Sequence, residues 1–228
     1  VETPQEAAQD TLRQTAAALS DLGFTAKPGL RLARVRADLG DEIQLHLDHA
    51  NRAGEVVRVR FSLALHSRAV RRWRRMQTHP ELHADGPLAG IVSATQLAFA
   101  AGIAGRDFDV VEPDDRPLVA QIVAARVREV AISWFEETGD PLRALGTLGR
   151  PLTQGGPVNA KWIYTLALAH GHDAEARDAL ALQCVRHPAF AVEFARDVAR
   201  IRAEGLTGGY RDTTEELAAF AVAAGIAP

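Results

Sequence analysis

The chain has 228 residues, of which 47% are apolar and 24% charged, with a formal net charge of −3. That is the composition of a globular protein long enough to bury a core, and it excludes both wholesale disorder and a histone-like coat of positive charge. The single cysteine, Cys184, excludes an intrachain disulfide or cysteine-rich zinc site and fits a reducing cytoplasm, and no apolar stretch approaches the roughly 20 residues of a membrane span.

The opening VETPQEAAQDTL has neither the basic nor the apolar region of a secretion signal. Thr3-Pro4 begins a helix whose Leu12, Ala16, Leu19 and Leu22 form one stripe, and Gly23 stops it. Three strands are expected next, over residues 30–38, 41–50 and 55–67, joined by short turns into an antiparallel meander with one buried face. In the third, Val57, Val59, Phe61, Leu63 and Leu65 alternate with Arg58, Arg60, Ser62 and His66. Residues 67–76 change period: Val70, Trp73 and Met76 recur every third residue among arginines, which describes an amphipathic helix capped by Ser67.

Residues 78–87 read as a loop, 93–102 as strand or helix, and 107–115 as a short strand ending in a turn. Residues 114–138 have the strongest helical pattern, with Asp114 or Asp115 as cap, Pro117 in the first turn, and Leu118, Ile122, Val123, Val127, Val130 and Trp134 as the buried stripe. After a Pro- and Gly-containing segment at 150–159, four helices are expected over 161–171, 173–186, 188–205 and 213–226. The expected fold is α+β: a small antiparallel sheet packed with helices in residues 1–149, followed by an all-helical C-terminal portion, 150–228, docked on it.

Charge is uneven along the chain. Residues 30–78 carry eleven arginines against five acids, a local +6, so the remainder carries −9. Arg34, Arg36, Arg58 and Arg60 are expected on one open sheet face with His46 and His66, extended by Arg71, Arg72 and Arg75 of the following helix. Guanidiniums so grouped grip carboxylates of an acidic protein partner in bidentate fashion, or the phosphates of DNA or RNA. The alternative is a solvated face neutralised by Asp38, Asp48 and other acids. A sheet that reads single-stranded RNA also needs exposed stacking aromatics, and the pattern supplies none.

No metal site or cofactor is expected. HLDH at 46–49 puts His49 on the opposite strand face from His46 and Asp48, HPELH at 79–83 lacks the order of a zinc protease helix, and no phosphate loop is present. No nucleophile elbow occurs, and Cys184 lies in an apolar helix. A hydrolase using His46 and Asp48 has only their shared face in its favour. The reading that follows is a non-enzymatic binding or adaptor protein of the immunity or stress-response kind that engages an acidic protein, with a nucleic-acid module as the alternative and no membrane partner.

The order of elements, with Leu22-Gly23-Phe24 before the first strand and the Gly139 to Leu145 segment after the long helix, resembles the bacterial domain of unknown function family numbered 4304. The resemblance covers about residues 5–148. The chain departs from that pattern in lacking a tryptophan-rich segment near 105–112 and in its longer helical tail. The resemblance implies an α+β fold and no established activity, so no site residue is carried over.

Overall fold

The computed structural model describes residues 2–100, 107–151, 159–206 and 208–228, without the side chains of residues 87, 88, 99 and 100. The chain groups into two compact units: Val1–His66, Ser93–Gly139 and Arg150–Val158 form the first, and Ser67–Val92, Asp140–Gly149 and Asn159–Pro228 the second. The expected boundary was one cut at 149/150. In this grouping residues 67–92 and 140–149 join the C-terminal helices instead, and segment 150–159 lies mostly outside the described residues.

In the first unit, helix α1 (Pro4–Ala18) starts with a reciprocal cap: the Thr3 hydroxyl accepts from the Glu6 N–H, and the Glu6 carboxylate accepts from the Thr3 N–H. The strands are β1 (Thr25–Lys27), β2 (Arg31–Arg36), β3 (Leu39–Leu47), β4 (Arg58–Ser67), β5 (Ile91–Gln96) and β6 (Phe108–Asp109). They form one antiparallel sheet in the order β1-β2-β3-β4-β5, with β6 pairing β4. Residues 93–102 thus resolve into both alternatives, a strand followed by the short helix α3 (Leu97–Ala100). One sheet face buries Leu32, Ile43, Leu45, Val59, Phe61, Leu63 and Leu65. Full burial of each such side chain contributes about 1.5–3 kcal/mol, which fixes the register because a one-residue slip would turn the whole set to water.

Helix α1 packs on β1, β2 and β3 and on α4 (Arg116–Arg126), which continues through a π turn (Val127–Ala131) into α5 (Ile132–Gly139). The expected stripe needs correction at its start: Leu118 is 59% exposed, and Val119, Ala120, Val123 and Ala124 face inward. Asp115 makes no side-chain cap; Arg116, buried at the first turn, is held by Glu2, Asp10 and the Val110 carbonyl. The π turn adds a residue to the helical repeat, and beyond it Trp134 and Phe135 are both buried.

The second unit holds α2 (Arg68–Met76), a 3₁₀ turn (Gly86–Gly90), α6 (Pro141–Leu145), α7 (Ala160–Ala169), α8 (Asp173–Arg186), α9 (Pro188–Glu204) and α10 (Thr213–Ala223). Gly171, at φ 78°, makes the turn between α7 and α8. The core contains Ile163, Tyr164, Leu166, Leu180, Phe194, Ile201 and Phe220. Two buried carboxylates, Asp197 of α9 and Glu215 of α10, are bound by Arg196, Arg200 and Arg211, joining these two helices and the segment before α10. The chain is therefore an α+β protein with a helical C-terminal portion. Among the described residues, no helix is long and apolar enough to cross a membrane.

Candidate functional site

The four sheet arginines do not share a face. Arg34 pairs with Asp41 and Leu32 with Ile43 in the β2–β3 register, so Arg34 and Arg36 lie on the covered side with the core. There Arg34 Nε donates to Asp41 Oδ2 at 2.5 Å, and Arg36 Nε and Nη2 donate to the two Asp41 oxygens at 2.7 and 2.8 Å. The Asp41 side chain is fully buried. Arg34 also lies 5.0 Å over the Phe24 ring, and Arg36 donates to the Phe135 carbonyl. Hydrogen bonding to Asp41 raises the Arg36 pKa, against a smaller opposing effect of burial. Both arginines are removed from the proposed binding face: they compensate a buried carboxylate.

The open face carries Arg58, Arg60, Ser62 and His66 from β4 opposite Glu42, Gln44 and His46 from β3, as the alternation required. Its charge is largely compensated. Arg60 grips Asp107 with Nε and Nη2 at 3.1 and 3.3 Å and stands 3.8 Å from Asp48, while Arg31 and Gln44 both donate to Glu42. Arg58 is exposed and has no ion-pair partner among the described residues; its backbone pairs with Asp48 and Asn51. His66 is half-buried beside Gly40, where no side chain intervenes.

A groove of about 520 Å³ opens on this face between His46, Asp48, His49, Arg60, Ser62 and Gln96. His49 joins it, contrary to the expected opposite face, because β3 ends at Leu47 and strand alternation no longer applies. His46 Nε2 and the Ser62 hydroxyl are 2.7 Å apart. His46 is exposed as a residue; partial desolvation of its ring, helped by the charge of Arg60, lowers its pKa. Among the described residues, no three His, Cys, Asp or Glu side chains are grouped to hold a metal.

Helix α2 carries a group of uncompensated charges. Ser67 caps it by accepting from the Val70 N–H at 3.2 Å, and Val70 and Arg74 face inward; burial pushes the Arg74 pKa down to about 10. Arg68, Arg71, Arg72 and Arg75 are all exposed, and no acid among the described residues pairs with any of them. Their spacing of three, four and seven places them on one stripe. Met76, 69% exposed, lies one turn beyond Arg72, and Trp73 is half-buried.

Sequence reasoning brought out His46, Arg58, Arg60, Arg71, Arg72 and Arg75 but missed Ser62 and Gln96 as parts of the groove and Asp107 as the partner of Arg60. Ser62 was legible as a hydroxyl on the same face as His46. Gln96 and Asp107 come from segments over 30 residues away in sequence, and only sheet pairing brings them in. The sequence matches no family model, and neither a curated protein nor a solved structure matches it. The resemblance to family 4304 rests on the order of elements and its two short segments.

Proposed function

We propose that the protein is a binding protein whose helix α2 engages an acidic surface on another protein. The observation that carries this reading is the stripe Arg68, Arg71, Arg72 and Arg75, exposed and without paired acids among the described residues. Like charges at these spacings each cost a helix roughly 0.2–0.5 kcal/mol, a repulsion that a partner's carboxylates reverse. Planar guanidinium forks match carboxylates in bidentate fashion.

Exposed Met76 and half-buried Trp73 favour a protein over a nucleic acid. Arginine, methionine and tryptophan are enriched in protein interfaces, whereas phosphate contacts use cations and small hydrogen-bond donors. The open face of the sheet also presents no Phe, Tyr or Trp among the described residues on which bases would stack.

Fluorescence anisotropy with a glutamate-rich peptide and with an oligonucleotide of equal charge tests the reading. The peptide should bind, and Arg71→Glu/Arg72→Glu should weaken it roughly tenfold or more. Undiminished binding by the variant would remove α2 from the interface. Preference for the oligonucleotide, falling steeply with salt, would replace the acidic protein with nucleic acid.

A further inference from the structure

Distinct from the α2 stripe, and lying wholly within the first unit, the groove on the open sheet face brings together the components of an acyl-transfer site. Ser62 supplies a hydroxyl whose hydrogen-bond partner among the described residues is His46 Nε2, 2.7 Å away across neighbouring strands. A serine is a weak nucleophile unless a base in hydrogen-bond contact takes its proton as it attacks. A neutral imidazole whose Nε2 lone pair faces the hydroxyl is such a base, and partial desolvation of the exposed His46 ring, with the charge of Arg60, shifts it toward that neutral form.

The groove also has donors for developing negative charge. Gln96 lines it, and its side-chain amide makes no hydrogen bond with the described residues. Arg60 uses Nε and Nη2 on Asp107, which leaves Nη1 uncommitted and fixes the guanidinium in place. A held donor such as Arg60 stabilises an oxyanion because it needs no reorganisation when charge appears. Asp48 and Asp107 both face Arg60 here, so a strongly charged ligand gains little there.

We propose that this groove is an acyl-transfer site for small, uncharged polar esters, with Ser62 as nucleophile, His46 as general base, and Gln96 and Arg60 as donors to the carbonyl oxygen. Ser62 Oγ forms a bond to the carbonyl carbon while its proton passes to His46 Nε2 and the carbonyl π pair moves onto oxygen. The tetrahedral species collapses, the ester C–O bond breaks, and the leaving alkoxide takes the proton from His46. Water then attacks acyl-Ser62, delivering a proton to His46; the acid departs, and Ser62 Oγ recovers that proton.

The test is covalent trapping of the full-length protein with an alkyl fluorophosphonate, in which the Ser62 Oγ–P bond forms as P–F breaks and HF is released. Peptide mass spectrometry should find the adduct on Ser62 and none there in Ser62→Ala. His46→Gln keeps a polar partner for Ser62 but removes the base, so trapping should slow by about 10²–10⁴-fold. In the wild type the trapping rate should follow one ionisation below the ordinary histidine range, a pH profile that a merely structural hydrogen bond would not produce. Absence of a Ser62 adduct, or an undiminished rate in a folded His46→Gln protein, overturns the proposal. Survival of α2-dependent peptide binding in either variant separates this outcome from that of the binding function.

Discussion

Asp41 shows how one side chain decides which arginines are available. It alternates in register with Ile43, Leu45 and Leu47, so it must point into the core side, and a buried carboxylate requires cations. Arg34 and Arg36 supply them from the neighbouring strand. Asp41→Asn should therefore cost about 3 kcal/mol in urea unfolding, because it leaves two arginines without their counter-charge. Arg58→Gln on the open face should change stability by less than about 0.5 kcal/mol. A second residue-level expectation concerns acid. The N–H and guanidinium of Arg211 hold the Glu215 carboxylate below its ordinary range, against the opposing effect of burial. The unfolded chain then binds the proton more readily, so the contribution of Glu215 is complete at neutral pH and is lost as pH falls from about 4.5 through the folded value. Acid titration of unfolding should show a shallower loss in Glu215→Gln than in wild type; equal slopes would contradict this. The inward placement of Arg34 was legible in principle, since it shares parity with Leu32. Val35, apolar but exposed, breaks the alternation of that strand.

At the scale of elements, α2 is a helix whose exposed charges oppose its own stability. Arg72→Glu converts repulsions with Arg68 and Arg75 into attractions, each pair being worth roughly 0.2–0.5 kcal/mol. The variant should unfold at the same temperature as wild type or slightly above it while losing partner binding. A destabilisation of more than about 1 kcal/mol would mean that Arg72 serves the fold. The helix and its Ser67 cap were legible because the period changes from two to nearly four at that serine. The C-terminal helices were legible for similar reasons, with apolar stripes, Gly171 and Pro188 marking their limits. The π turn was not: it leaves no distinctive residue, and beyond it Trp134 and Phe135 are both buried.

For the whole molecule, a net charge of −3 conceals a basic stripe on one short helix, while most sheet arginines are matched by Asp41, Glu42, Asp48 and Asp107. Local patterning revealed the concentration of arginine, but not which guanidiniums were already paired, since pairing depends on strand order and on segments distant in sequence. The stripe spans about 10 Å of helix, close to the screening length at 0.1 M salt, so it acts on a partner at short range. The most direct measurement is a pull-down from native lysate with tagged wild type and the Arg71→Glu/Arg72→Glu variant, each with and without nuclease, read by mass spectrometry and nucleic-acid staining. The account predicts an acidic protein recovered by the wild type, insensitive to nuclease and lost with the variant. Identical recovery by wild type and variant, or recovery abolished by nuclease, would contradict it.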